Sequence, residues 1–296
     1  VLLVGLASAA ALRSRLSSSA LRESLEATAS AQLGIELESG ELGLRLWPPV
    51  LELRAPVVEL AGGVRLELAP ARIEVALAPL LDGVAEVRRL SLAGPARLVH
   101  RRGELAGQLV LELAPGAAPG VWLLRAEAEL RTGGRIAARG ELGGGGRFAG
   151  SVEIEDVEAT PFAAFLYGER GEAASASGRY RGRFEWSEPG LGPTTLRLAS
   201  DETVLELAPV RLEGAVALQA ELPASQVSDP GGGRFELDAT RARVDYAGSF
   251  AKASGRGASL RGGIVRESDR IRLSDLRLKV LRFEGEVAAP GERELP

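Results

Sequence analysis

The sequence predicts a mainly β protein, a long antiparallel sheet preceded by one amphipathic helix and interrupted by a few short helices. Two observations carry this. From residue 35 onward apolar residues recur every second position with charged residues between them, the period of strands with one dry and one wet face. Before Gly34 the spacing is that of a helix, and Gly and Pro punctuate the chain at the short intervals expected of turns.

The helix is expected over 16–33. Leu16, Leu21, Leu25, Ala29 and Leu33 recur at four or five residues, Arg22, Glu23 and Glu26 occupy other faces, Ser17 to Ser19 offer N-caps, and Gly34 ends it. Ahead of it, Val1 to Leu12 is mostly apolar and uncharged, but shorter than the roughly 20 residues a bilayer crossing needs. Three origins compete for it: the tail of a membrane anchor, a signal-peptide core, or the first turns of a buried helix. The lack of charge favours the membrane-related origins, although Arg13 and Arg15 sit awkwardly on a translocated side.

The strands follow in order. Ile35 and Leu37 open the series, then Leu42, Leu44 and Leu46, Leu51 and Leu53, Leu66 and Leu68, and Ile73, Val75 and Leu77, with Arg45, Glu52, Arg65, Glu67, Arg72 and Glu74 between them. Parity slips at Gly40 and near Val57 and Val58, where β-bulges are expected, and Pro48-Pro49, Gly62-Gly63 and Pro70 mark turns. Later strands are marked by Leu109 to Leu113, Trp122 to Leu130, Phe148 to Ile154, Tyr180 to Trp186, Leu196 and Leu198, Leu205 and Leu207, Leu212 to Leu222, Phe235 and Leu237, Val244 and Tyr246, Leu260 and Ile264, Ile271 to Val280, and Phe283 and Val287. A short helix is expected from Thr160, as cap, to Tyr167.

Composition narrows the function. The 296 residues are 45% hydrophobic and 26% charged, enough to bury a core, and only 4% aromatic, so that core is aliphatic. Thirty-six basic and 40 acidic residues give a net charge of -4, and the two signs interleave, which argues against nucleic acid. Cysteine is absent, which removes disulfides, thiolate nucleophiles and Cys-ligated metals. Only Lys252 and Lys279 are lysines, and Met and Asn are missing, a bias that fits a GC-rich coding sequence.

Catalytic candidates are few. His100 is the single histidine, beside Arg101 and Arg102 at a strand end, and is expected to be a surface residue rather than a base. Glu153, Glu155 and Asp156 fall on a period-two strand and are expected to belong to its solvated face rather than to a cation site. The glycines at 143–146 lack the strand-to-helix context and the G-K-[ST] of a phosphate loop, so a hairpin is expected. Trp47, Trp122 and Trp186 are expected in the core or at its rim. The expectation is therefore no catalytic residue, no metal and no cofactor; a hydrolase using His100 is the weakest alternative.

The dry face has to be hidden from water, at roughly 25 cal/mol per Å². Either it packs on a second sheet or closes as a barrel, leaving no ligand site, or it forms an open apolar groove covered by acyl chains or helices. Periodicity alone favours the packed core.

A resemblance shifts that balance. Residues 33–99, LGIELESGELGLRLWPPVLELRAPVVELAGGVRLELAPARIEVALAPLLDGVAEVRRLSLAGPARLV, resemble the N-terminal region of AsmA-family proteins. The likeness runs through the helix-ending Gly, the W-P run, the I-E-V strand with its P-L-L-x-G end (Ala71 to Gly83), and the strand ending in G-P (Val84 to Pro95). Ser175 to Trp186 resembles the family's glycine-alternating strand. Phe235 to Gly263 resembles its D-a-T … f-x-K-x-x-G segment, with Asp238, Thr240, Phe250, Lys252 and Gly255 in place and Ala253 where a Pro is often found.

The resemblance implies a curved, groove-like sheet similar to the chorein-like, repeating-β-groove lipid transfer proteins. It further implies a single N-terminal inner-membrane anchor with the body in the periplasm, and phospholipid or another acyl-chain lipid carried toward the outer membrane. Envelope proteins are the other partners it suggests. Three regions are expected: 1–33, anchor remnant and helix; 34–115, the AsmA-like β module; and 116–296, the continuing groove. The expected groove floor is Leu42, Leu44, Leu46, Leu51, Leu53, Leu66, Leu68, Ile73, Val75 and Leu77. The alternative is a structural or assembly β-sandwich that acts through a protein partner and has no lipid channel.

Overall fold

The structure, a computed structural model, describes residues 23, 26–27, 36–38, 41–46, 49–60, 64–76, 86–100, 103–143, 147–160, 174–186, 194–207, 210–222, 233–246, 250–267, 270–280 and 283–286. Among the described residues the chain is mainly β, with 21 strands paired in one antiparallel sheet. The helix expected at 16–33 and the one expected at 160–167 lie almost wholly outside the described residues. Two compact units divide the chain, residues 1–101, 106–128 and 139–148 in the first, and 102–105, 129–138 and 149–296 in the second.

In the first unit the alternating sequence gives β1 (Glu36–Glu38), β2 (Glu41–Leu46), β3 (Pro49–Arg54), β4 (Val57–Leu60), β5 (Val64–Leu68), β6 (Ala71–Val75) and β7 (Val87–His100). β3 with β4, and β5 with β6, behave as two long strands that are each bent once. Leu53 faces Ala71 on one side of the bend and Val57 faces Glu67 on the other, so no register is lost between them. Inside the bend the Leu68 N–H donates to the Pro56 carbonyl at 3.0 Å, and Ala55 takes a φ of 48°. This corrects two expectations: the parity slip near Val57 is a paired bend rather than a bulge, and Pro70 bends a continuing strand instead of turning the chain.

β7 supports both halves of that long strand, pairing with β6 through Leu92 and Ala71, and with β5 through Ala96 and Leu68. It carries one extra residue there, at 93–95, so Pro95 lies inside a strand where no ladder bond is required of it. A Cβ on Gly94 would lie 2.7 Å from the Ala69 Cβ, which explains the glycine at this crossing. Leu51, Leu53, Ala71, Ile73, Val75 and Leu92 form the core of this unit, on one face of β3, β6 and β7. The hairpin from β8 (Gly103–Pro115) to β9 (Trp122–Leu130) is closed by Gly116 donating to the Val121 carbonyl at 2.7 Å.

β9 turns into β10 (Arg135–Gly143) at 131–134, and β11 (Arg147–Glu158) follows. The second unit continues with β12 (Ala174–Ser177), β13 (Arg179–Trp186), β14 (Thr195–Leu207), β15 (Val210–Glu221), β16 (Gly233–Asp238), β17 (Ala242–Tyr246), β18 (Phe250–Lys252), β19 (Ala258–Glu267), β20 (Arg270–Val280) and β21 (Phe283–Glu286).

A line of irregularities crosses this unit. β11 gains a residue at Asp156, β14 gains one at 201–202, and β16 and β17 are separated at 239–241 by one residue more than β15 spends. The strands between carry glycines at the same level, Gly178 (φ 115°) and Gly214 (φ 125°). A Cβ on Gly178 would overlap the Glu202 carbonyl, and one on Gly214 would lie 2.8 Å from the Arg241 carbonyl. Extra residues on alternate strands, each seated over a neighbour's glycine, bend and twist the strands along one line.

Candidate functional site

The expected groove floor lies in the first unit. β2 pairs with β3 so that Leu42 faces Leu53 and Leu44 faces Leu51, and β3 pairs with β6 so that Leu51 faces Ile73. Leu42, Leu44, Leu51, Leu53, Leu68, Ile73 and Val75 thus come together on one face, while Leu66 faces Val58 and Leu98 farther along. Leu51, Leu53, Ile73 and Val75 are 0–2% exposed. These four are core. Leu46 closes β2, and Leu77 lies outside the described residues.

The second unit holds a more accessible apolar face. Across five strand pairings Ile154 faces Gly182, Gly182 faces Leu198, Leu198 faces Leu218, Leu218 faces Leu237, and Leu237 faces Leu260. The next row runs Val152, Phe184, Leu196, Ala220, Phe235 and Gly262. The leucines and Ile154 of the first row are half-buried. At about 4.8 Å per strand, five steps make an aliphatic strip on the order of 24 Å long. Phe184 and Trp186 stack at its rim, with ring centroids 6.2 Å apart. Sequence reasoning placed these residues on strands but did not assign them to the floor; their alternation is the same as that of β3 and β6.

The residues between them, Glu153, Arg183, Arg197, Gln219, Glu236 and Arg261, face the other way and are all charged except Gln219. Arg183 donates to Glu153 at 3.0 Å and Arg261 to Glu236 at 2.6 Å, both exposed. Such exposed pairs add little stability, but they keep this face wet and unattractive to other sheets. Arg234 grips Glu221 through two hydrogen bonds of 2.8 and 3.0 Å, which holds that carboxyl below its usual range.

One buried ionic constellation stands apart. Lys252, 2% exposed, donates to the carbonyls of Ala239 (3.0 Å), Thr240 (3.1 Å), Ala242 (2.6 Å) and Ala253 (3.2 Å). Burial pulls its pKa down, opposed by the Asp238 carboxylate. Asp238 in turn accepts the Thr240 N–H at 2.8 Å; Thr240 is the main cause that holds this carboxyl below its ordinary value, with partial burial opposing and Arg241 and Lys252 assisting. Gly255 donates to the Thr240 carbonyl and Ser254 to that of Arg241, so two adjacent strand breaks, 239–241 and 253–257, are tied together.

The catalytic candidates do not converge. Glu153 pairs with Arg183, Glu155 with Arg135 at 3.7 Å, and Asp156 with Arg179, so the three acids serve three separate arginines. His100 ends β7. Among the described residues no group of three His, Cys, Asp or Glu side chains could hold a metal, and no helix is long and apolar enough to cross a membrane. Trp122 is buried and Trp47 lies outside the described residues. Comparison of the chain with family models, with curated proteins and with solved structures gave no match.

Proposed function

We propose that the chain is an AsmA-like protein, anchored in the inner membrane by its N-terminus with its body in the periplasm, which binds phospholipid acyl chains and passes them toward the outer membrane. The observation that carries this is the half-buried aliphatic row from Ile154 to Leu260, backed on the other face by ion pairs. An acyl chain laid along such a row removes apolar surface from water on both partners, at roughly 25 cal/mol per Å², while a headgroup stays in water. The row from Ile154 to Leu260 is itself aliphatic, with Phe184 and Phe235 in the row beside it. No catalytic step, metal or cofactor belongs to this function. The order of motifs between Leu33 and Gly263 supports the family assignment.

Native mass spectrometry of the detergent-free protein, followed by solvent extraction, tests it. Phospholipid retained at a reproducible stoichiometry is the expected result. A second function, a structural or assembly protein acting through a protein partner, draws on the near-complete burial of Leu51, Leu53 and Ile73. A lipid-free mass would favour that function over lipid transfer.

A further inference from the structure

Four carbonyl oxygens that converge on one buried point favour a positive charge there, even though two of them, those of Ala239 and Thr240, also accept a backbone N–H. Those of Ala239, Thr240, Ala242 and Ala253 surround the Lys252 ammonium at 2.6 to 3.2 Å, and an ammonium has only three hydrogens to share among them. We propose that these oxygens form a monovalent-cation site, which the chain fills with its own Lys252 and which accepts potassium or ammonium once that side chain is shortened.

Three features support the assignment. The oxygens belong to neutral peptide groups, so no ligand charge favours a divalent ion. Three of the four distances from the nitrogen, 3.0 to 3.2 Å, exceed the roughly 2.3–2.6 Å of calcium, the fourth at 2.6 Å lies at its upper edge, and all exceed the roughly 2.0–2.1 Å of magnesium; a ring of neutral carbonyls is the ligand type that replaces the hydration shell of potassium. The cage is also held independently of its occupant: the Ala242 N–H donates to the Ala239 carbonyl at 3.0 Å, Gly255 to Thr240 at 3.0 Å, and Ala239 to Ala258 at 2.9 Å. Its structural effect is to clasp the breaks between β16 and β17 and between β18 and β19, because one ammonium bonds to carbonyls of both.

The test uses the whole chain. Lys252→Ala leaves the space open, whereas Lys252→Met fills it with an apolar stem. In choline chloride both variants melt lower than the native protein by roughly 5–10 °C, the effect of losing several charge-assisted hydrogen bonds in a chain of this size. Potassium or ammonium chloride at equal ionic strength raises the melting point of K252A but not that of K252M. If K252A is unfolded in choline, recovery of folding on adding potassium is the supporting result and failure to recover is the contrary one. The native protein supplies a second readout, because Lys252 and the exposed Lys279 are its only lysines. Acetylation followed by peptide mapping should modify Lys252 roughly 100-fold more slowly than Lys279, since reaction requires local opening. K252A melting identically in all three salts, or equal acetylation of the two lysines, overturns the assignment.

Discussion

Gly178 lies directly beneath the carbonyl of Glu202 on the neighbouring strand, so closely that a methyl group on the glycine would overlap that oxygen. The two residues mark the middle of the line of bends in the second unit, where the extra residue of β14 needs a partner strand without a side chain. Gly178→Ala combines this overlap with a φ of 115°, and is expected to cost about 2–4 kcal/mol. Gly120→Ala, at φ 75° with nothing within 4 Å of the new methyl, is expected to cost only about 1 kcal/mol. Urea unfolding of both variants checks the difference; equal losses would mean that the close approach to Glu202 contributes nothing.

The two apolar faces predict opposite behaviour on truncation. Ile73→Ala opens a cavity in a site 1% exposed and should cost about 2–5 kcal/mol. Leu218→Ser alters a half-buried residue and should cost about 1 kcal/mol or less. Lipid retention should rank the other way. Losing one leucine contact of roughly 1.5 kcal/mol weakens acyl-chain binding about tenfold, while I73A that remains folded should retain lipid as the native protein does. Paired melting and lipid-extraction measurements separate the two effects.

Asp238 makes the fold acid-sensitive. Its folded pKa is lowered, chiefly by Thr240, below the unfolded value of about 3.9. Its stabilising contribution is therefore complete above that unfolded value and is lost as pH falls through the folded pKa. Because the carboxyl is exposed, the contribution is expected to be less than about 1 kcal/mol. Asp238→Asn keeps an acceptor for the Thr240 N–H but carries no charge. It should therefore be slightly less stable than the native protein at pH 7, with the gap closing toward pH 3. Denaturant midpoints across pH 3–7 check it, and a constant gap would contradict the linkage.

The strands were legible because an apolar-polar alternation leaves few other structures open to residues such as 71–75 or 195–198. The bends were not. Pro70 and Ala55-Pro56 carry the local chemistry of turns, and only the pairing partner decides whether the chain reverses or continues. The same limit hid the distinction between faces. Leu51 and Leu218 sit in indistinguishable local patterns, yet one is 0% exposed and the other half-buried, because what covers a face depends on residues far away in sequence. Lys252 stood out only as a rare lysine in a family-like motif; its four carbonyl partners come from two strand breaks that no local pattern announces.

The central claim is that acyl chains lie along the row that includes Leu218. A photo-crosslinking amino acid placed at Leu218, and at Gln219 on the opposite face, tests it in cells by mass analysis of the adducts. Phospholipid captured at 218 and not at 219 is the predicted result. No lipid adduct at 218, or a protein adduct there instead, would contradict the account.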